Sequence, residues 1–355
     1  MSQIEMDNTI SRKTILDKET STVTWNEAAG QCVVVDVRSM AEYRQGTMVG
    51  AVNIALFDEV ERSEVGTIYH HGGQERAIEK GFALVRNKLD FLLKDFEVYR
   101  ERKIAVFCAR GGMRSRSVVN LLRQSGYDAV QIVGGYKRYR SDTLALVGNF
   151  SPKLIVIHGL TGTGKTRILH RLPEKQSIDL EELARHRSSL FGGLDRRPAN
   201  QRTFESMLAE TIGQLGDEPY FIEGESRKIG QVFIPRQLAL AMKKAVLVNV
   251  SCSLEKRIAR IISDYPVKDD EVLGKMVGIL KSLKQKMGAA KVARMCDLLK
   301  DRNLEELVRI LLVDYYDKRY ARSMRNYRFD LEISSESIGD AATELIKFRQ
   351  SLQSR

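Results

Sequence analysis

The chain has 355 residues, 43% hydrophobic and 29% charged, with 26 glycines and 6 prolines, which excludes a collagenous, largely disordered or disulfide-stapled small protein. Basic residues exceed acidic ones by 57 to 46, and the net +11 is uneven: residues 1–150 carry +2 and residues 151–355 carry +9. A basic C-terminal part favours polyanionic partners such as nucleic acid or phosphorylated substrates.

The first residues, MSQIEMDNTISRK, have early acids and no apolar core, so neither a signal peptide nor a transit peptide is expected. Apolar runs such as Lys153–Gly159 and Ala245–Val250 fall far short of the roughly 20 residues of a membrane span. The expectation is a cytoplasmic protein with no membrane partner. From Gln31, short apolar runs alternate with helical stretches: CVVVDV, helical AEYRQG, AVNI, a long polar helical stretch through Leu93, and KIAVFC ending at Cys108. This is the rhythm of a parallel sheet with crossover helices. A Gly- and Arg-rich loop, a helix from about Arg116 to Gln124, a stop at Gly126 and the strand AVQIV, closed by Gly134 and Gly135, complete an α/β pattern near Arg140. The stretch to Pro152 reads as a connector, and the first domain is assigned to residues 1–148.

The second domain, residues 149–355, opens with the strand KLIVIHG, a Gly-rich loop and the helix RILHRL, with PYFIEG and AVLVNV as further strands. Beyond Leu254 the apolar spacing of LEKRIARIISDY and NLEELVRILLVDYYDKRY is helical, giving a helical C-terminal extension. Cys32, Cys108, Cys252 and Cys296 form neither a disulfide framework nor a CxxC pair, and the five histidines have no paired-ligand spacing. No structural metal is expected.

Gly159-Leu-Thr161-Gly162-Thr163-Gly164-Lys165-Thr166 is a complete GxxxxGK[ST] phosphate loop between a strand and a helix. Its backbone N–H groups and the helix N-terminus cradle phosphate, Lys165 reaches the terminal phosphate and Thr166 is placed to hold Mg²⁺. The loop alone does not distinguish a nucleotide from a prenyl diphosphate. Cys108-Ala-Arg110-Gly111-Gly112-Met-Arg114-Ser115 also lies between a strand and a helix, where loop N–H groups and guanidiniums stabilise a thiolate, so Cys108 is the candidate nucleophile. The Cys-x₅-Arg spacing equally suits a cysteine phosphatase, and a phosphate-loop kinase or ATPase with a sulfurtransferase domain is another reading.

Val34-Val-Asp36-Val-Arg38, Glu42-Tyr43, Gly46, Gly50-Ala51-Val-Asn53-Ile and Gly134-Gly135-Tyr136 resemble the signature of rhodanese domains, whose loop cysteine carries sulfur or selenium. With Asp179-Leu-Glu181, His186-Arg187, Phe191-Gly192, Glu223-Gly-Glu225-Ser-Arg227 and Tyr315-Tyr316-Asp317, most of the chain resembles the tRNA 2-selenouridine synthase family. The resemblance implies an α/β chain in which a rhodanese-like parallel-sheet domain precedes a P-loop NTPase-like α/β domain. It implies a selenotransferase with geranyltransferase activity on tRNA carrying wobble 2-thiouridine. Geranyl diphosphate and selenophosphate are the implied cosubstrates, with Mg²⁺ a further cofactor and a selenophosphate-producing enzyme a further partner.

Asp179, Glu181, His186, Arg187, Glu223, Glu225 and Arg227 are then candidate substrate or supporting residues. For the acids of the first turn at Asp179 a helix-capping role stands beside this reading. The basic, tyrosine-rich stretch with Lys318, Arg319, Tyr320, Arg322 and Arg325 is the candidate RNA contact. The chain departs from the family pattern at Ser188, where Gly is usual, at Lys318, where Pro is usual, and at Gly224, where an acid is usual.

Overall fold

A computed structural model describes residues 20–194, 196–224, 226–324 and 327–353, with the backbone alone at 321–323 and 353. The chain divides into two compact units, one of residues up to Leu146 with Glu205–Ala209, the other of Val147–Phe204 with residues from Glu210 onward.

The first unit is built on a five-stranded parallel sheet. Its strands are β1 (Thr22–Val23), β2 (Val33–Asp36), β3 (Val52–Asn53), β4 (Ile104–Phe107) and β5 (Ala129–Ile132), in the order β1-β5-β4-β2-β3. β2, β4 and β5 are buried at every position, as expected of strands covered by helices on both faces. Val35, Ile104 and Val106 pack on one side with Leu92, Phe96, Val119 and Leu122, while Ala105 and Phe107 pack on the other with Tyr136 and Tyr139. Ser39 with Glu42 and Asp58 with Glu61 form capping boxes that open the helices Met40–Gln45 and Glu59–Arg86. The long helical stretch is broken at Gly73, whose φ is 84°, and resumes as Leu89–Phe96. Two expectations are corrected here. The helix after the cysteine loop starts at Met113, three residues early, because Gly112 is extended and ends the loop. The supposed connector before Pro152 is a helix, Gly135–Asn149, whose Tyr136 and Tyr139 belong to the core.

The second unit has its own five-stranded parallel sheet: β6 (Leu154–His158), β7 (Ser177–Ile178), β8 (Tyr220–Glu223), β11 (Val246–Ser251) and β12 (Leu331–Ser334), ordered β12-β11-β6-β8-β7. A short antiparallel hairpin joins β9 (Lys228–Ile229) to β10 (Val232–Phe233). The expected strands are β6, β8 and β11; β7 and β12 are additional. β12 escapes a pattern reading because it is a sheet edge on which only Ile333 is buried. Helices Asp270–Lys281, Ala289–Lys300 and Leu304–Leu311 share a separate apolar cluster around Leu280, Met295, Leu299 and Leu307. A π-helical turn, Leu312–Tyr316, leads into the helix Asp317–Met324. Among the described residues no helix is long and apolar enough to cross a membrane.

Candidate functional site

Cys108 follows β4 directly, and its side chain is 3% exposed. Its sulfur accepts hydrogen bonds from the Gly112 N–H at 3.3 Å and the Ser115 hydroxyl at 3.2 Å. Burial pushes the thiol up, but the Ser115 hydroxyl, the N–H groups of Arg110 and Ser115 and the charge of Arg114 together outweigh it, so Cys108 lies below the ordinary cysteine value. Arg114 is held against Glu42 at 3.1 Å, while Arg110 is exposed. Gln131 on β5 donates to the Ser115 hydroxyl at 2.8 Å and to the Gly111 carbonyl at 2.9 Å, fixing both the loop and the group that bonds the sulfur.

The Gly134-Gly135 turn closes on this loop. The N–H groups of Tyr136 and Lys137 donate to the carbonyls of Cys108 and Ala109, each at 2.9 Å. Gly135 has φ of 56°, and a Cβ there would stand 2.3 Å from the Cys108 carbonyl oxygen. Backbone of this closeness and sign admits only glycine. The Asp36–Arg38 pair, at 2.6 Å and fully enclosed, places the Arg38 guanidinium 4.0 Å over the Tyr136 ring. These residues shape the scaffold of the cysteine loop.

The phosphate loop leaves the C-terminal end of β6 with Gly159, Gly162 and Gly164 all at positive φ, before the helix Lys165–Leu169. Lys165 Nζ donates to the Gly159 carbonyl at 3.0 Å. Two buried arginines from the helix Leu254–Asp264 grip the loop from behind: Arg257 Nε donates to the Thr161 carbonyl and Arg260 to that of Thr163, each at 2.8 Å. The Ser335 hydroxyl, just after β12, donates to the same Thr163 carbonyl at 2.6 Å. With these carbonyls engaged from behind, the loop is braced in a curvature that suits phosphate.

In front of the loop lies a cleft of about 250 Å³ lined by Thr161, Gly162, Gly164, Lys165, Thr166, Asp179, Glu181, Arg187, Glu223 and Tyr320, among others. The structure thus brings five residues singled out beyond the loop to its mouth. Asp179 caps the helix Leu180–Ala184 through the Glu182 N–H at 2.8 Å and also meets His170 at 2.7 Å. Glu181 is 9% exposed and accepts the Ser188 N–H. Arg187 donates to the Asp264 carbonyl at 2.8 Å and lies 5.0 Å over the Tyr265 ring. Tyr265 hydrogen-bonds Ser189, and burial lifts its hydroxyl to about 12, so it is a neutral phenol in the cleft. Among the described residues no cluster of three or more His, Cys, Asp or Glu gathers for a metal. The oxygens of Thr166 and Glu223, both on the cleft, suit a Mg²⁺ completed by phosphate and water.

Two expected residues stand apart from the cleft. The His186 ring is wedged against the backbones of Gly192 and Gly230, so it shapes the turn after Arg185; burial lowers its titration. Arg227 is exposed, and its carbonyl accepts the Ile234 N–H at 2.9 Å across the β9–β10 hairpin. Glu225 and Arg325, and the side chain of Arg322, lie outside the described residues. Lys318 and Arg319 are exposed on the helix, paired with Asp314 at 3.3 Å and the Tyr315 hydroxyl at 3.0 Å. Tyr315 and Tyr316 pack edge to face within the apolar cluster, and the Tyr316 hydroxyl accepts the Leu190 N–H at 2.9 Å. Tyr316 therefore serves the fold.

Comparison with known proteins agrees with this geometry. Residues 22–142 match the family profile of the rhodanese-like domain, and residues 152–347 match that of the tRNA 2-selenouridine synthase AAA domain. The chain belongs to the tRNA 2-selenouridine synthase family. A tRNA 2-selenouridine synthase of Pseudomonas syringae pv. syringae is 31% identical over 91% of this chain and 95% of its own length. That of Nitrosomonas europaea is 37% identical over 65% of this chain and 63% of its own. The crystallised N-terminal domain of a candidate ATP/GTP binding protein from Clostridium difficile 630 is 42% identical, covering 35% of this chain and 99% of its own, with a TM-score of 0.33.

Within the family frame, four residues that position the two loops carried no signal in the motif reading: Gln131, Arg257, Arg260 and Ser335. Arg257 and Arg260 lie within an amphipathic helix, and it is their burial in the structure that marks them as paired, since charges are buried only where something pairs with them.

Proposed function

We propose that this chain converts wobble 2-thiouridine of tRNA to 2-selenouridine in two stages, one in each unit. In the first, the thiocarbonyl sulfur attacks the first carbon of geranyl diphosphate. The carbon–oxygen bond breaks with its electron pair leaving on diphosphate, and the uridine N3 proton passes to solvent. In the second, the selenium of selenophosphate attacks C2 and the sulfur departs as geranylthiol with a proton. Water then cleaves the phosphorus–selenium bond to release phosphate. The alkylation matters because a thiocarbonyl sulfur is a poor leaving group and a thiol is a good one.

The observation that carries this reading is the presence on one chain of two anion cradles: the N–H-lined Cys108 loop and the arginine-braced phosphate loop. The phosphate loop, with Lys165, stabilises the departing diphosphate, and Mg²⁺ held by Thr166 and Glu223 would add positive charge there. The N–H-lined Cys108 loop holds the selenophosphate anion with its selenium towards C2. The cosubstrates geranyl diphosphate and selenophosphate, and a partner enzyme supplying the latter, belong to this proposal, as does tRNA contact through the helix Asp317–Met324.

The test is to incubate the protein with 2-thiouridine tRNA, geranyl diphosphate and selenophosphate and to weigh the digested nucleoside. Lys165→Ala is expected to leave 2-thiouridine unchanged, and Cys108→Ser to accumulate the geranylated nucleoside. ATP hydrolysis lost in Lys165→Ala, with the nucleoside unaltered, would instead support the kinase or ATPase reading. Aryl-phosphate hydrolysis lost in Cys108→Ser would support the phosphatase one.

A further inference from the structure

Ile155 and Ile157 of β6 turn into the core beneath the phosphate-loop helix, so His158 turns to the opposite face of the sheet. There its imidazole lies against Tyr327, ring centres 4.7 Å apart, and beside Phe329 at 5.9 Å, while Tyr327 and Phe329 meet edge to face at 6.1 Å. The backbone of Gly224 closes on the ring from β8: a Cβ at that position would stand 2.3 Å from His158 Nδ1. Any side chain at this position would collide with the imidazole, so the ring keeps its place only against glycine. Tyr327 is 41% exposed, and the aromatic patch opens outward. His158 directly precedes Gly159, whose carbonyl holds Lys165.

We propose that His158, Tyr327 and Phe329 seat the hydrocarbon chain of an allylic diphosphate whose diphosphate lies in the Gly159–Thr166 loop. This rests on the reading above, and connectivity is its reason. The reacting carbon is bonded to a diphosphate oxygen, so the chain starts at the rim of the loop and runs along whichever side is apolar. The cleft side carries Arg167, Asp179, Glu181, Arg187, Arg196 and Asp264, and a hydrocarbon laid there would strip water from charged groups. The His158 side offers aromatic carbon. Ring faces also favour the positive charge that grows on the allylic carbon as its bond to oxygen breaks and its bond to sulfur forms. Burial and the nearby Lys165 charge bring His158 down to about 4, so at neutral pH the seat itself bears no charge.

Calorimetric titration of the full chain with geranyl diphosphate, the shorter dimethylallyl diphosphate and inorganic diphosphate tests this. His158→Ala and Tyr327→Ala are each expected to weaken geranyl diphosphate by about tenfold, to leave inorganic diphosphate within about twofold and to erase the preference for the longer chain. Tyr327 is at the surface, so its variant keeps the test sound if His158→Ala fails to fold. Unchanged geranyl diphosphate affinity in a folded Tyr327→Ala, with Lys165→Ala losing it, overturns the aromatic seat while leaving the two-stage reading intact. A wild-type chain that binds ATP and not geranyl diphosphate overturns both.

Discussion

Asp317 holds Arg257 through two hydrogen bonds, 2.6 and 3.1 Å, while the same guanidinium donates to the Thr161 carbonyl of the phosphate loop at 2.8 Å. The Tyr-Tyr-Asp motif of the C-terminal part therefore braces the loop that lies far earlier in the sequence, and Asp317 acts on phosphate through Arg257. Lys318 is exposed next to it and leaves this bond intact.

Removing the Asp317 charge leaves a guanidinium, 5% exposed, with the carbonyl as its remaining partner shown here. Breaking one side of a buried pair is expensive, and with Asp317 itself 27% exposed we expect Asp317→Asn to destabilise the second unit by about 2 kcal/mol. It should also weaken inorganic diphosphate binding several-fold. Glu271→Gln, which breaks the exposed pair with Lys275, should leave stability nearly unchanged, because solvent screens such a pair. Urea unfolding of the three proteins, with diphosphate titrations, checks this; equal effects of the two substitutions would refute a bracing role.

Ser115 is expected to set the reactivity of Cys108. Its hydroxyl is the largest influence lowering the thiol against the opposing effect of burial, so Ser115→Ala should move the midpoint of Cys108 alkylation by iodoacetamide upward. Selenation rate at neutral pH should fall with it. Peptide mass spectrometry of the Cys108 fragment across pH reads this separately from Cys32, Cys252 and Cys296, and an unmoved midpoint would show that the hydrogen bond does not govern the thiolate.

The buried imidazole of His158 gives the fold an acid sensitivity with a definite sign. In the folded chain it titrates at about 4, against its ordinary 6.5, so between these values the unfolded chain binds more protons. Stability from this group is fully present above about pH 6.5 and is lost as pH falls towards 4, a contribution of about 3 kcal/mol. His158→Asn should lack that slope. Chemical denaturation from pH 7 to 4 should therefore show the wild type losing stability faster than the variant, and parallel curves would mean that His158 does not remain neutral.

The sequence by itself determined the two loops, their order and the strands that carry them, because each is a contiguous strand–loop–helix whose glycines, lysine and cysteine must stand at fixed spacing to do their chemistry. Cys108 with Ser115, Gly159 to Thr166, and the pairing of Asp179 with a helix start were legible for that reason. The tertiary structure alone decided what makes the loops rigid and what stands at their mouths. Arg260 and Ser335 reach Thr163 from 97 and 172 positions away, and Gln131 reaches Gly111 from 20. The closeness of Gly224 to His158 exists only because β6 and β8 are neighbours in parallel register. A local pattern records spacing along the chain, whereas these contacts depend on which strands lie side by side, and the buried charge of Arg257 and Arg260 finds partners only after the sheet has formed.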